Sequence, residues 1–186
     1  DAISVAAEAL EVEESEITGI SVLKKGMTNR SFSFNCAGKR YIMRIPGEGT
    51  GQLINRTEEA EVYKKIKKQN ICDEIIYINA ENGYKITEYI EGARVCDPYS
   101  ESDIRKCMKK LRGFHELELT VPHEFDIWRQ IEFYEGLWKK KISLYKDYIY
   151  TKEKVLSLKT FAERYAGKKV LAHIDAVPDN FLFVYD

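Results

Sequence analysis

The segment "HIDAVPDN" sets His173, Asp175, Asp179 and Asn180 within eight positions, between the apolar runs "KKVLA" and "FLFVY". Transfer of a phosphoryl group to a hydroxyl needs such a set. A carboxylate must orient the hydroxyl and accept its proton, and an oxygen ligand must hold Mg²⁺ against the phosphates. Asp175 and Asn180 supply these, with Asp179 a spare carboxylate. As an isolated stretch it reads equally as a polar turn built on Pro178-Asp179-Asn180, so the residues and elements upstream decide between the two.

Three upstream groups matter, and their order matters more. In "LKKGMTNRSFSF", Gly26, Thr28 and Asn29 fall in a turn between two strands, where backbone amides and short side chains can approach phosphate closely. The stretch is neither a Walker loop nor G-x-G-x-x-G, and alone it is a plain hairpin turn. Arg44, in "RYIMRIPG", shares a strand face with Ile42 and points away from Tyr41, Met43 and Ile45; alone it is a solvated strand arginine. Glu59 argues against that. It lies three, four and seven residues before Val62, Tyr63 and Ile66, so its carboxylate is on the inward stripe of a helix, where a charge is costly unless paired. Glu58 and Glu61 point elsewhere, to solvent. A turn loop, a strand cation, an inward helical glutamate fifteen residues later and an H-x-D-x-x-x-x-N loop follow one another here as they do in the protein kinases. In that order Arg44 lies over the phosphates and Ile42 under the adenine. The backbone from Glu88 to Ile90, at the end of "YKITEYIEG", is then placed to hydrogen-bond the base.

The elements that must hold these residues are legible from periodicity. Ala2 to Leu10 reads as a short helix, and strands begin from Ile17; "RSFSFNC" and "RYIMRI" form an antiparallel hairpin about the turn "AGK". After the glycine-rich "GEGTGQ", helical spacing runs from about Ile54 to Lys68, followed by strands "EIIYIN" and "YKITEYI" about the turn "AENG". Beyond "EGARVCDPYS" the pattern is helical at about 101–117, 127–145 and 151–166, and "KKVLA" reads as a short strand leading into the loop. Residues 1–90 therefore form a small sheet with one long helix, and residues 91–186 are mostly helical with the loop at 173–180.

Composition narrows the partners. The chain has 186 residues, with 29 basic against 30 acidic side chains and a net charge of −1, which gives no electrostatic argument for nucleic acid or a membrane surface. A small-molecule partner fits better. With no apolar run of ~18 residues a membrane span is not expected. Cys36, Cys72, Cys96 and Cys107 are widely spaced and, with no signal peptide in view, read as free thiols of a reducing cytoplasm.

Taken together, "GMTNRSF", "YIMRIPG" with arginine where protein kinases have lysine, "NRTEEAEVY", "ITEYIEG", "LRGFHEL", "FDIWRQIEFYEGLW" and "HIDAVPDNFL" resemble the blocks of the choline/ethanolamine kinases. That family is part of the aminoglycoside-phosphotransferase-like branch of the protein-kinase-like fold. The resemblance covers essentially the whole chain. It implies an α+β, bilobal fold, with an antiparallel-sheet N-lobe over 1–90 and an incomplete helical C-lobe over 91–186. It also implies ATP and Mg²⁺, and a choline-like alcohol as acceptor. Carried over position by position, it implies Asp175 as catalytic base, Asn180 as Mg²⁺ ligand, Arg44 with Glu59 as the nucleotide ion pair, and Thr28 and Asn29 at the phosphates. His173 braces the loop, and His115 takes a hydrogen-bonded core role. Lys25 departs from the pattern, standing where many relatives have a second glycine.

In this fold a second metal-binding aspartate lies on the strand paired with the one leaving the loop. Asp186, six residues after Asn180, leaves no room for a turn and a returning strand, so the expectation is that these residues are a fragment of a longer protein. An aromatic box for a quaternary ammonium would lie mostly further downstream; Trp128, Tyr134 and Trp138 are candidates, though aromatics at helical spacing are usually core. The rival readings are an aminoglycoside or other small-molecule phosphotransferase, and a non-catalytic nucleotide-binding module.

Overall fold

A computed structural model describes residues 2–23, 29–47, 49–138 and 143–184. The chain forms two compact units, Asp1–Leu119 with Ala172–Asp186, and Thr120–Leu171.

The first unit is built on a five-stranded antiparallel sheet in the order β1-β2-β3-β5-β4, with β1 Thr18–Val22, β2 Asn29–Cys36, β3 Lys39–Pro46, β4 Ile75–Ile78 and β5 Lys85–Glu88. The β2–β3 hairpin closes through Ala37 and Gly38, both at positive φ. That is the backbone twist a two-residue turn requires. Strand alternation then puts Phe34, Tyr41, Met43 and Ile86 on one face, where they are buried with Cys36 and Ile17 against Ala6 and Ala7 of α1, Ala2–Leu10. Two alanines let the helix lie close on the sheet, and the Phe34 and Tyr41 rings stack at 5.5 Å across the β2–β3 pair.

Helix α2, Arg56–Ile66, is capped by Asn55, whose side chain accepts from the Glu58 amide at 3.2 Å. This cap sets the start two residues later than periodicity placed it. β6, Arg94–Val95, is a short strand that the sequence pattern did not reveal; it pairs with β7, Leu182–Phe183, the strand leaving the 173–180 loop. α3, Glu101–Glu116, follows it, with Ser100 as cap. Arg94 ties β6 to α3 through Asp103, donating to its two oxygens at 2.5 and 3.2 Å.

The second unit holds α4 Ile127–Gly136, α5 Tyr148–Ser157 and α6 Lys159–Tyr165. Helix 127–145 is thus shorter than its spacing predicts: the last amides, of Leu137 and Trp138, close on Tyr134 and Glu135 in tight turns after Gly136. Helix 151–166 starts earlier, at Tyr148, and is interrupted at Leu158, where the Ser157 hydroxyl donates to the Lys154 carbonyl at 2.7 Å and competes with the helix backbone. Glu135 joins α4 to α5, accepting from the Tyr148 hydroxyl at 2.7 Å and the Lys152 ammonium at 2.5 Å. The predicted strand "KKVLA" has no ladder partner among the described residues and is irregular.

All four cysteines are free, with Cys36, Cys96 and Cys107 buried. Burial, then the neighbouring Cys96, pushes the Cys107 thiol up to about 11. Because the thiolate is the reactive form, Cys107 should stay unmodified by iodoacetamide at pH 8 in the native protein, with half-buried Cys72 labelled before it, and both should react in guanidinium. Peptide mass spectrometry over a time course checks the order; rapid native labelling of Cys107 would contradict the packing of α3.

Candidate active site

The sheet face opposite α1 is polar. Arg44 on β3 and Lys85 on β5 are direct cross-strand partners, an unfavourable placement of like charges unless each is neutralised. Glu59 of α2 neutralises Arg44; Tyr63, one turn on, accepts from Lys85, and Asp73 supplies the counter-charge. Arg44 Nη1 donates to Glu59 Oε1 at 2.6 Å and Nη2 to Oε2 at 2.9 Å, a bidentate fork. Lys85 Nζ donates to the Tyr63 hydroxyl at 3.1 Å and lies 4.3 Å from the centre of its ring, with Asp73 4.0 Å away. The inward stripe of α2 thus docks on the sheet through polar atoms, and Glu59 pairs with Arg44 across fifteen residues of sequence.

A third charge was not singled out by the sequence reading. Arg56, the first residue of α2 and 8% exposed, donates from Nη1 to Glu59 Oε2 at 2.9 Å. Its signal was present in the i, i+3 spacing to Glu59, which puts both on one helix face. Burial by itself raises the Glu59 carboxyl, but hydrogen bonds and charge from Arg44 and then Arg56 outweigh it and hold the group below the usual glutamate range.

The 173–180 loop is tightly wound. The Asp175 amide donates to the His173 carbonyl at 2.8 Å, the Val177 amide to the Asp175 carbonyl at 2.9 Å, and Pro178 opens a single 3-10 turn ending at Asn180. Asn180 Nδ2 donates to the Asp175 carbonyl at 2.7 Å and to Asp175 Oδ2 at 3.0 Å, so the two predicted residues interlock. His173 stacks on Phe181, ring centres 6.3 Å apart, and the Phe181 carbonyl accepts from the Cys96 amide at 3.1 Å. Asp175 and Asn180 are exposed. With Nδ2 donating to Asp175, the side-chain oxygen is the Asn180 atom that could ligate a cation. Among the described residues no three His, Cys, Asp or Glu side chains converge. A single amide oxygen at Asn180 suits Mg²⁺, which takes few protein oxygens and completes its octahedron with water and phosphate.

The remaining candidates fall out as follows. Ile42 is half-buried on the Arg44 face, between Ser33 and Thr87. Along the backbone proposed for the base, the Glu88 amide donates to the Glu74 carbonyl at 3.1 Å and the Tyr89 amide to the Arg40 carbonyl at 2.9 Å, while the Ile90 amide donates to no partner among the described residues. Asn29 opens β2 and its side-chain oxygen accepts from Arg56 at 3.5 Å; Thr28, Gly26, Lys25 and Asp186 lie outside the described residues. His115 is half-buried beside Phe114, but its Nε2 is buried with no partner among the described residues, so the hydrogen bond expected of it is not made there. Trp138, just past α4, packs on Tyr148 of α5 at 5.1 Å, while Tyr134 is exposed with its ring 5.6 Å from that of its neighbour Phe133.

An antiparallel sheet, a strand cation paired to a helical glutamate, and an H-x-D-x-x-x-x-N loop define a protein-kinase-like α+β fold. A family model described as choline/ethanolamine kinase matches residues 20–184, and the chain belongs to that family. The choline kinase LicA of Streptococcus pneumoniae superposes with a TM-score of 0.83 at 28% identity, over 98% of this chain and 64% of its own. A LicA crystallised with AMP gives the same score over 98% and 63%. A choline/ethanolamine kinase family protein of Mesorhizobium loti shares the fold, with a TM-score of 0.75 at 21% identity over 99% and 62%. Protein LicA of Haemophilus influenzae is 25% identical over 167 residues, 87% of this chain and 49% of that protein. The chain therefore spans about half the length of this curated relative and under two thirds of these solved kinases.

Because Glu59 is held below its ordinary pKa of about 4.3, the paired carboxylate contributes its full stabilisation above that value and loses it as pH falls through the lowered one. Glu59→Gln should be about 1–3 kcal/mol less stable at pH 7, since two buried guanidiniums lose their counter-charge. Urea unfolding across pH should show the wild-type advantage constant above about pH 5 and shrinking below about pH 4; an advantage that grows on acidification would contradict the pairing.

Proposed function

We propose that this protein transfers the γ-phosphate of ATP to the hydroxyl of choline or a related amino alcohol. The observation that carries the reading is the interlock of Asn180 with Asp175 in an exposed loop, which fixes a carboxylate where a substrate hydroxyl can reach it.

In this reading Asp175 orients the alcohol and takes its proton as the oxygen attacks phosphorus. Arg44, oriented by Glu59, binds the nucleotide phosphates, with Asn29 and Thr28 beside them. Ile42 packs under the adenine, and the Ile90 amide donates to its edge. Mg²⁺ would be held by Asn180 and the phosphates, and supplies charge neutralisation at the transferring group. His173 and His115 support the loop and its surroundings and touch no substrate. The nucleotide elements lie within residues 1–90, an N-lobe, and the catalytic loop within 91–186, part of a C-lobe. The AMP-bound LicA and the LicA choline kinase support nucleotide and choline as the substrates. Among the described residues no helix is long and apolar enough to cross a membrane, and the free thiols support a cytoplasmic location.

Mg²⁺-dependent ADP release by the full-length protein, with choline, ethanolamine and an aminoglycoside offered separately, tests the reaction. Turnover is expected with choline, and Asp175→Asn should lower kcat by roughly 10²- to 10⁴-fold with ATP binding retained. Turnover with the aminoglycoside alone would move the acceptor to that class, and ATP binding without turnover would leave a binding module.

A further inference from the structure

Arg44 makes three hydrogen bonds, to the two oxygens of Glu59 and to the Gly83 carbonyl at 3.3 Å. Arg56 lies against both of those residues. It donates to Glu59 Oε2, the same oxygen that receives Arg44 Nη2, and its side chain lies against Gly83 so closely that a Cβ there would stand 2.6 Å from Arg56 Cδ and 2.7 Å from Nε. Gly83 also has φ +73, so glycine is required twice over, for the backbone and for the approach of the arginine.

The other fork nitrogen of Arg56 reaches outward to two further segments. Nη2 donates to Asn29 Oδ1 at 3.5 Å and to Thr50 Oγ1 at 3.4 Å, and the Thr50 hydroxyl is itself anchored on the Gly47 carbonyl at 2.7 Å. Asn29 begins β2 and Gly47 directly follows β3, the strand that carries Arg44. One side chain, only 7% exposed, therefore joins the start of β2, the end of β3, the first turn of α2 and the turn before β5. Charge gives this hub a direction. Two guanidiniums share one carboxylate, so the cluster retains one net positive charge, and the buried Arg56 cannot present it to a ligand. It falls to Arg44.

We propose that Arg56 is the positioning residue that fixes the direction of Arg44 and couples it to the start of β2; this rests on the reading of Arg44 as a nucleotide-phosphate ligand. Arg56 acts through Arg44 and does not itself touch the nucleotide.

A double-mutant cycle in the full-length protein, read by equilibrium titration with a fluorescent ATP analogue, tests this independently of turnover. Arg56→Met should weaken the analogue by about tenfold and Arg44→Ala by at least as much. In the double variant the loss should equal that of Arg44→Ala alone, because a residue that works through another has nothing left to position. Arg56→Lys, which keeps the charge and loses the fork, guards against a misfolded Arg56→Met; with a near-wild-type thermal melt it should still bind more weakly. In steady state the KM for ATP should rise while the KM for the alcohol stays unchanged. Additive losses, or wild-type affinity in Arg56→Lys, would overturn the proposal while leaving Arg44 a phosphate ligand. Wild-type affinity in Arg44→Ala would instead remove the reading on which it rests. A fall in kcat with both KM values unchanged, as fewer folded molecules would give, also overturns it.

Discussion

A charge inside a protein must be paired or it will not stay there, and this requirement organises the five-stranded sheet and α2. Register places Arg44 and Lys85 opposite each other on adjacent strands, and neither can leave the face to which strand alternation commits it. α2 has to supply one acceptor for each at a spacing of one turn, and Glu59 and Tyr63 are those residues. The helix can shift along its axis or rotate only by breaking both. Buried ion pairs are weak sources of net stability, since desolvation offsets most of the attraction, yet breaking one is costly. Their effect here is to select a single docking of α2 out of the several that a purely apolar stripe would allow.

The two faces of the sheet divide the work accordingly. The α1 face, with Phe34, Met43 and Ile86 fully buried, supplies the apolar area from which the fold draws its stability. The α2 face is left free to be polar. Net charge remains on it because Arg44 and Arg56 share one carboxylate, and a partly desolvated cation attracts an anion more strongly than one in water. On the proposed reading, a phosphate ligand completes a charge balance that the protein leaves open.

Much of this was legible in the sequence because the relevant signals are periodic. Alternation separated Arg44 from Met43, helical spacing turned Glu59 inward, and the H-x-D-x-x-x-x-N spacing marked the loop. Arg56 carried only its i, i+3 spacing to Glu59 as a signal, since its other partners Asn29, Thr50 and Gly83 come from three separate segments that no period connects. β6 escaped notice for a similar reason. A two-residue strand has no alternation to read, and it exists through pairing with β7 almost ninety residues away. The interruption at Leu158 and the early stop of α4 are local hydrogen-bonding events at Ser157 and after Gly136, below what apolar periodicity resolves.

The loop that carries Asp175 answers a different demand. The proposed base must be open to its substrate, so it is not fixed by a half-buried ion pair as Arg44 is. Fixing has to come from the backbone. Ile174 sits at φ +66, a left-handed conformation that a β-branched residue adopts at a cost of about 1–3 kcal/mol and that persists only where the surroundings over-determine it. They do so from both sides. Asn180 grips Asp175 by carbonyl and carboxylate, and the Cys96 amide holds the Phe181 carbonyl. Phe183 on β7 lies under Arg94 and Lys106 at 4.4 and 5.4 Å from its ring centre, with Arg94 held in turn by Asp103. The short β6–β7 ladder therefore does for the 173–180 loop what Glu59 does for Arg44: it turns packing elsewhere in the unit into a fixed direction for one side chain, the proposed base, while leaving it in water.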